Sequence, residues 1–492
     1  MAAQPNILLV CTDHWPAGLL GEAGHPDILT PTLDELARSG IRFRNAYSEC
    51  PVCIPARRTL MTGTSPRTHG DRDFAETMPM PELPTMAQTF RDAGYQAYAV
   101  GKLHVYPQRD RIGFDDVVLD EEGRTLYGVT DDYETFLGEH GYAGRQFDHG
   151  MSNNDYTVRP WHLPENTHAT NWATREMVRT IKRRDPTRPA FWYLSYRHPH
   201  PPIVPLETYH AMYRDVELRW PVQGAWCRED LPYLLQAVRR RSAHMGARQT
   251  LAALQGFYAL CTHIDHQLRV VVGSLREEGL LDNTVVCFTS DHGDMLGRHG
   301  MWAKRLFYEG AANVPMILVG AQGDQRVGHH RVDDRLIGWQ DIMPTLLDLA
   351  GIPVPASVEG LSMIGDAHRD WLYGEVGEGD HATRMIRSGQ WKLIYYPAGN
   401  VRQIFDLESD PMEIHDLSGS DAHRPVLDHL SGILTSQLYG GDEAWVRDDK
   451  LEGRPARTFR PGPNRGLSSQ RGHHWPPPPK TDMPQIQWHN EE

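Results

Sequence analysis

The sequence contains few cysteines, no long apolar segment and no basic tract. Six cysteines in 492 residues are too few for a disulfide framework and are typical of a reducing compartment. No apolar run approaches the roughly 20 residues that a membrane helix needs, and residues 1–6 lack the basic region of a signal peptide. The formal net charge of −14 argues against nucleic acid and anionic membranes as partners. We therefore expect a cytoplasmic protein.

Apolar segments alternate with segments of helical periodicity along most of the chain. Four of the apolar segments are followed by acidic or basic residues, namely residues 7–11, 95–100, 190–196 and 283–290. The residues that follow them are Asp13, Lys102 with His104, His200, and Asp291 with His292. Because the carboxyl ends of parallel strands meet at one edge of a sheet, we expect these side chains to lie close together.

The remaining pattern predicts two further strands over 41–47 and 314–320, and helices over 30–37, 85–93, 248–278 and 339–350. Residues 110–189 are irregular, and we interpret them as loops and short helices over the active face. Together these segments predict an α/β fold, a large mostly parallel sheet flanked by helices. We assign residues 1–365 to this catalytic domain.

The C-terminal part has a different pattern of predicted secondary structure. Short β segments, one of them a hairpin at 385–395, and a closing helix predict a small antiparallel subdomain over residues 366–440. Residues 441–492 are rich in proline and arginine and are expected to form an extended tail. Its tryptophans, Trp445, Trp475 and Trp488, favour docking on the same or a neighbouring subunit, so we expect a dimer or tetramer.

One short stretch combines a cysteine, a proline and an arginine. Cys53, Pro55 and Arg57 stand where a short helix is predicted to begin, so the thiol should lie near backbone N–H groups and a permanent cation. Cys50 and Cys53 also match the C-x-x-C redox spacing, but that interpretation requires a small thioredoxin-like domain and explains none of the other residues.

Taken in order, these residues resemble the pattern of type I sulfatases in the alkaline-phosphatase superfamily. The matching residues are Asp13, Cys53, Pro55, Arg57, Lys102, His104, His200, Asp291, His292 and Lys304. The pair Asp291 and His292 is similar to the branch that contains choline sulfatases and phosphonate monoester hydrolases. A single motif would be weak evidence of kinship, whereas the ordered set is specific. The resemblance implies an alkaline-phosphatase-like fold.

The resemblance also implies a cofactor and a modification. In such enzymes a maturation enzyme oxidises the cysteine at position 53 to formylglycine, whose hydrate is the nucleophile, and Arg57 steadies that hydrate. Asp13, Asp291 and His292, with the oxygen of residue 53, would hold one divalent cation. Carboxylate ligands suit Ca²⁺ or Mg²⁺, with Ca²⁺ expected first, and the imidazole leaves room for Mn²⁺.

Two residues beside the expected metal site have other interpretations. Many family members carry a second acid where this chain has His14, so we expect His14 to be a strand-end residue oriented by a hydrogen bond. We expect Asp294 to support neighbouring residues or cap a loop.

By the same resemblance, each remaining residue has a role in sulfate ester hydrolysis. Lys102 and Lys304 would surround the sulfate oxygens, and His200 together with Lys304 would protonate the departing alcohol. His104 would remove a proton from the remaining hydroxyl at residue 53, so that sulfate leaves by elimination. A hemiacetal can eliminate sulfate, whereas a sulfate ester of a simple alcohol would need a difficult hydrolysis.

Three functions are compatible with these residues. The first is a sulfatase that cleaves a small organic or carbohydrate sulfate ester. The second is a phosphonate monoester or phosphodiester hydrolase with the same nucleophile, although the segment containing Lys102 and His104 favours sulfate. The third is a binding protein that keeps the fold and the metal but never converts Cys53.

Overall fold

The computed structural model describes residues 4–123, 130–227 and 231–460. The strands are β1 Asn6–Asp13, β2 Ile41–Tyr47, β3 Gln96–Gly101, β4 Asp116–Leu119, β5 Ala190–Pro199, β6 Thr284–Ser290, β7 Met316–Val319, β8 Arg331–Gly338, β9 Trp371–Val376, β10 Thr383–Ser388, β11 Trp391–Tyr396, β12 Val401–Asp406, β13 Val446–Arg447 and β14 Lys450–Leu451. The α-helices are α1 Pro31–Ser39, α2 Cys53–Thr62, α3 Pro66–His69, α4 Met86–Asp92, α5 Asp132–Glu139, α6 Ala169–Lys182, α7 Glu207–Tyr213, α8 Tyr233–Arg241, α9 Ala247–Glu277, α10 Glu309–Ala312, α11 Ile342–Leu349 and α12 Arg424–Gln437.

The large sheet has eight strands among the described residues, in the order β4-β3-β5-β1-β6-β7-β2-β8. All neighbouring pairs are parallel except those that involve β7, which is antiparallel to both of its neighbours. A continuous apolar run places β1 between β5 and β6, with Leu9 opposite Tyr193 on one side and Cys287 on the other. The predicted α/β class with a mostly parallel sheet is confirmed.

Helices cover both faces of this sheet. On one face α1, α6 and α9 contribute to a core that contains Trp172 and Phe257, and on the other α2, α4 and α11 pack around Phe90 and Leu346. The 31-residue helix α9 matches its predicted range to within one residue. It also caps α1, since the Asp265 carboxylate accepts hydrogen bonds from the first amides of α1.

Two strands of the large sheet and several helices, α6, α7 and α8 among them, were not predicted. The segment 110–189, which we expected to contain only loops and short helices, includes the edge strand β4 and the 14-residue helix α6. Strand β8 was missed as well, because its first half, Arg331 to Arg335, is mostly charged. Both missed strands lie at the two edges of the sheet, where polar side chains face solvent and the apolar signal of a strand is weak.

The C-terminal part forms a four-stranded sheet in the order β12-β11-β10-β9, antiparallel throughout, with α12 packed against it. This confirms the predicted small antiparallel sheet. After α12 the chain makes a 3-10 helix, Gly440–Trp445, and the short hairpin of β13 and β14, and Trp445 is buried against the small sheet. Trp475 and Trp488 lie outside the described residues. No described helix has the length and apolar character that crossing a bilayer requires.

Candidate active site

The carboxyl ends of four neighbouring strands bring the predicted polar residues together. Lys102, beyond β3, places Nζ 2.6 Å from Oδ2 of Asp13 at the end of β1. His292, beyond β6, places Nε2 3.3 Å from Oδ1 of Asp13. His200, beyond β5, offers a nitrogen within 4.8 Å of ligand atoms of Asp13 and His14. Asp13 therefore lies at the centre of the edge, as expected for a central strand.

Cys53 is the first residue of α2 and is buried. Nζ of Lys304 lies 3.5 Å from its Sγ and 4.0 Å from Oδ1 of Asp13. The whole helix is buried, and Gly63 ends it in the left-handed conformation at φ 64°. The thiol is therefore fixed at a helix N-terminus beside a cation, in a large α/β domain rather than the small domain that the C-x-x-C interpretation required.

Arg57 holds the elements of the site together. Its Nε donates to Oδ2 of Asp291 at 3.1 Å, and its Nη1 donates to the carbonyl of Lys102 at 2.7 Å and to Oγ of Ser195 at 2.8 Å. Nη2 lies 3.9 Å from Oδ2 of Asp13 and has no hydrogen-bond acceptor among the described residues. The guanidinium thus links α2 to the ends of β3, β5 and β6.

A cluster of buried ligand atoms fits a divalent cation. Asp13, Asp291 and His292 each offer an atom within 4.8 Å of the others. The Gly293 carbonyl can only accept, so Nδ1 of His292 carries the hydrogen of their 2.9 Å bond and Nε2 keeps its lone pair. That nitrogen and Oδ1 of Asp13 are buried without a hydrogen-bond partner in the described part of the chain. A cation between them would satisfy both atoms.

The charge state of these groups also suits a cation. Burial alone would raise the pKa of Asp13, but Lys102 and Lys304 hold it well below the usual range. Burial and the neighbouring Asp13 raise the pKa of Asp291 to about 7. Burial and Lys304 lower the pKa of His292, so its imidazole is neutral, the form that binds metals. Positive charge between the two carboxylates would favour their ionised forms.

His14 adds another imidazole to this cluster. Its Nδ1 donates to Oδ2 of Asp294 at 2.7 Å, the orienting hydrogen bond that we expected. Its Nε2 lies 3.7 Å from Oδ1 of Asp13 and has no hydrogen-bond partner among the described residues. A histidine oriented in this way by a carboxylate is a common metal ligand. His14 can therefore also contribute to a metal site.

Asp294 connects several segments of the site. Tyr156 donates to the same Oδ2 that accepts from His14. Oδ1 accepts from the amides of Leu296 and Ala303 at 2.9 and 3.0 Å, which closes the loop that carries Lys304. This agrees with the loop-capping role expected for Asp294 and fixes Lys304 relative to β1.

Two glutamates of the site were not predicted. Oε1 of Glu122 lies 3.0 Å from Nζ of Lys102 and 3.7 Å from Nδ1 of His200, and Oε1 of Glu121 accepts from the amide of His104 at 2.7 Å. Both follow β4, the edge strand that we missed. The acidic run after residues 117–119 would have pointed to them, since it too follows the carboxyl end of a parallel strand.

The two remaining histidines differ in their surroundings. Nδ1 of His200 donates to the Pro201 carbonyl at 2.5 Å, and burial lowers the pKa of this histidine well below its usual value. His104 has a positive φ of 60°, and its ring packs edge-on against Phe74 at a centroid distance of 5.8 Å. Both rings lie where two neighbouring strands end.

Known proteins share this sequence and fold. The sulfatase family model matches residues 5–352, and the model of the N-sulphoglucosamine sulphohydrolase C-terminal region matches residues 297–438. An arylsulfatase of Clostridium perfringens is 34% identical over 477 residues, covering 93% of this chain and 99% of that protein. A choline-sulfatase of Rhizobium meliloti is 28% identical over 438 residues, covering 84% and 82% of the two proteins.

The phosphonate monoester hydrolase of Agrobacterium radiobacter has the same fold, with a TM-score of 0.74 at 22% identity over 93% of this chain and all of that one. The family model spans most of the chain, and the arylsulfatase is similar over nearly its full length. Both findings confirm the resemblance that the motif residues indicated. The chain belongs to the sulfatase family of the alkaline-phosphatase superfamily and is a sulfuric ester hydrolase.

Proposed function

We propose that this enzyme hydrolyses the sulfate monoester of a small organic molecule or carbohydrate, releasing sulfate and an alcohol, through a formylglycine made from Cys53. The observation that carries the proposal is the position of the Cys53 side chain. It stands at the start of α2, with Lys304 3.5 Å away and with Arg57 on the same helix bonded to Asp291. A nucleophile at this point is surrounded by cationic groups, which an anionic ester requires.

Formylglycine, once hydrated, supplies a nucleophilic hydroxyl and a second hydroxyl through which the sulfate can be expelled. The chain's own residues would orient the reacting groups and stabilise the negative charge on the ester. The guanidinium of Arg57 is fixed by hydrogen bonds to residues at the ends of three strands. In this fixed position it would hold the side chain of residue 53. Lys102 and Lys304 would stabilise the negative charge that gathers on the sulfate oxygens in the transition state.

Proton transfer would involve two histidines and a lysine. Nδ1 of His200 carries the hydrogen bonded to Pro201, and a neutral ring has no proton on Nε2. We therefore propose that Lys304 gives the proton to the departing alcohol, and that His200 acts with it as a hydrogen-bond acceptor through Nε2. His104, held at its backbone amide by Glu121, would accept the proton from residue 53 when sulfate leaves.

We propose that Asp13, Asp291 and His292, with residue 53, hold one divalent ion, to which His14 can add a fifth side chain. Such an ion acts as a Lewis acid and draws negative charge toward itself. The carboxylates favour Ca²⁺, with Mg²⁺ as the other hard ion, while a second imidazole would move the preference toward Mn²⁺. Elemental analysis of the protein purified from its native host identifies the ion.

The experiment that tests the proposal is a sulfate-ester panel run on protein with verified modification. Conversion of the thiol to the aldehyde lowers the mass of the Cys53 peptide by about 18 Da, which intact peptide mass spectrometry detects. We expect sulfate release from aryl and sugar sulfates by the modified protein only. Modified protein that cleaves phosphodiesters but no sulfate ester would contradict the proposal, and absence of the modification in the native host would support a binding protein instead.

A second candidate is hydrolysis of phosphonate monoesters or phosphodiesters with the same nucleophile. It is favoured by the pair Asp291 and His292 and by the fold shared with a phosphonate monoester hydrolase. The ratio of kcat/KM for an aryl sulfate to that for an aryl phosphate diester separates the two. We expect the ratio to exceed one.

We further propose a cytoplasmic location, a maturation enzyme as a partner and a homo-oligomer, either dimer or tetramer. The location rests on six buried cysteines that form no disulfide. The oligomer rests on Trp475 and Trp488 of the tail sequence, since Trp445 is buried against the small sheet of the same chain. Light scattering tests it, and a monomeric mass would contradict it.

A further inference from the structure

A groove of about 710 Å³ lies between the large sheet and the C-terminal sheet. It is lined by residues 42–45 of β2, by residues of the loop that follows β1, by the turn between β10 and β11, and by residues of the segment after β12. None of the described residues that line it belongs to the proposed catalytic or metal set. The groove is therefore separate from the active site, and its volume suits a ligand of several rings rather than a single small ion.

Four arginines line this groove in a protein whose net charge is −14. Arg44 forms an ion pair with Asp334 at 2.8 Å, and Arg387 donates to the hydroxyl of Tyr47 at 3.1 Å. These two guanidiniums are engaged by the protein itself.

Arg42 and Arg298 are half-buried, and neither forms an ion pair or a side-chain hydrogen bond within the described ranges. Nε of Arg42 is buried without an acceptor. Arg44 lies two residues further along β2, so its side chain extends from the same face of the strand. Burial and this neighbouring charge both lower the pKa of Arg42. An anion in the groove would relieve this repulsion and supply the missing acceptors.

The carboxylates that line the groove are either bonded to other protein groups or exposed to solvent. Oε2 of Glu309 accepts from Nδ2 of Asn313 at 2.7 Å and Oε1 from the Tyr47 hydroxyl at 2.9 Å, and Asp334 pairs with Arg44. Glu408 is exposed to solvent. The lining therefore offers two arginines to a ligand without a competing carboxylate bound to either.

The rest of the lining suits a sugar. Oδ1 of Asn313 is a buried acceptor without a donor among the described residues, and it can accept a hydrogen bond from a sugar hydroxyl group. Leu407, Pro411 and Met412 are half-buried or exposed and supply apolar surface on which the C–H face of a sugar ring can pack. Guanidinium groups bind sulfates and carboxylates through paired N–H donors.

We propose that this groove binds an anionic saccharide, a sugar with sulfate or carboxylate groups that contact Arg42 and Arg298. The site is additional to the proposed catalytic function and does not depend on conversion of Cys53. The ligand would be either a separate charged sugar or a part of a longer anionic saccharide that lies far from its reacting sulfate ester. The segment after β12, which no catalytic role uses, would form part of the binding surface.

Binding is measured by titration calorimetry with the full chain carrying Cys53→Ala, so that no turnover occurs. The probes are a heparin-derived tetrasaccharide with sulfates and carboxylates, a hyaluronan tetrasaccharide with carboxylates alone, cellotetraose as a neutral sugar, and sodium sulfate. We expect both anionic sugars to bind and cellotetraose to bind at least tenfold more weakly. Added sodium chloride should weaken the binding, since the contact is between charges.

The decisive comparison adds Arg42→Gln and Arg298→Gln together. We expect this pair to weaken binding of the anionic sugars at least tenfold. The matched control is Arg240→Gln, an exposed arginine of α8 that does not line the groove, and it should leave the affinity unchanged. Unchanged affinity in the double variant would overturn the proposal. Sodium sulfate binding as tightly as the tetrasaccharides would overturn the assignment to a saccharide.

The failure of this proposal can be told apart from the failure of the proposed function. Arg42→Gln with Arg298→Gln, made in the protein with Cys53 intact, should hydrolyse a small aryl sulfate within about twofold of the wild-type rate, because neither residue lies in the catalytic cluster. Loss of sugar binding with normal aryl sulfate turnover supports the groove. Wild-type protein that binds the sugars but cleaves no sulfate ester would contradict only the catalytic proposal.

Discussion

Two buried clusters of charge in this protein differ in how their polar atoms are satisfied. The first, between the two sheets, centres on Lys392, whose ammonium group donates to the Phe307 carbonyl at 2.9 Å, to Oε1 of Glu413 at 2.8 Å and to Glu309. Oε2 of Glu413 accepts from the amide of Glu309 at 2.7 Å. This cluster is complete, since the protein supplies a partner for each of these groups.

The second cluster, at the carboxyl edge of the large sheet, is incomplete. Four of its buried atoms have no hydrogen-bond partner among the residues that the structure describes: Oδ1 of Asp13, Nε2 of His14, Nη2 of Arg57 and Nε2 of His292. Unpaired buried polar atoms are costly, and they persist where a ligand or an ion completes them. The comparison indicates that the first cluster stabilises the fold, whereas the second is arranged for binding and chemistry.

The largest expected effect is on turnover. Replacement of the proposed nucleophile by Cys53→Ala should lower kcat by at least about 10⁴-fold, because the proposed mechanism has no other group to form its covalent intermediate. Turnover of an aryl sulfate and the melting temperature are measured together. Cys50→Ala is the control and should retain activity within about threefold. More than about 1% residual activity in Cys53→Ala would remove Cys53 from its proposed role.

The complete cluster should respond in stability instead. Lys392→Met removes the cation from between Glu309 and Glu413 and should lower the free energy of unfolding by about 3–5 kcal/mol. Aryl sulfate turnover per folded molecule should stay within about threefold of wild type. Urea unfolding measures the stability, and Lys182→Met, at an exposed ion pair with Glu277, should cost less than about 1 kcal/mol. A large loss of turnover with unchanged stability would contradict the distinction between the clusters.

Removing the proposed metal ion should make the free energy of unfolding depend on pH in a defined direction. The pKa of Asp291 is raised to about 7 by burial and by Asp13, so the folded chain binds a proton that the unfolded chain releases near pH 4. Its contribution to stability is therefore lost as pH rises from about 4 to about 7, by at most about 1.4 kcal/mol per pH unit.

Unfolding by urea at several pH values, with and without a chelator, measures this effect. The control is Asp291→Asn, which should remove that part of the pH dependence seen only in the metal-free protein. The same pH dependence in metal-free wild type and Asp291→Asn would show that Asp291 does not carry it.

The smallest expected effect concerns the orienting carboxylate. Asp294→Asn weakens the hydrogen bond that aims Nε2 of His14 toward Asp13, and we expect a 10- to 100-fold loss of metal affinity, about 1.4–2.7 kcal/mol. Metal titration of the chelated protein measures it, with the exposed Asp282→Asn as the control. A fall in kcat at unchanged metal affinity would show that Asp294 acts only through the loop of Lys304.

The sequence predicted the central part of the fold well and the edges poorly. Strand β1 and helix α9 have strong apolar signals because each is buried along most of its length, and both were found near their observed bounds. Strands β4 and β8 are short or charged, and their pairing is decided by neighbouring strands rather than by their own composition. The omission of β4 also hid Glu121 and Glu122.

The sequence by itself determined most of the chemical groups of the site, although not Glu121 and Glu122. A polar residue after each buried parallel strand and a cysteine before a proline and an arginine are local patterns, and they can be recognised without knowing the fold. The family resemblance and the α/β class followed from that order. Cys53, Arg57, Lys102 and Asp291 were all named in this way.

Only the tertiary structure decided which of these groups meet. Lys304 and Cys53 are 251 residues apart in the chain, Arg57 and Asp291 are 234 apart, and His14 and Asp294 are 280 apart. Such contacts depend on the order of strands in the sheet, which local periodicity does not encode because each strand pattern is compatible with many neighbours. The incomplete bonding of the active-site cluster follows from the strand order of the large sheet, and the groove lined by Arg42 and Arg298 forms only where the two sheets pack together.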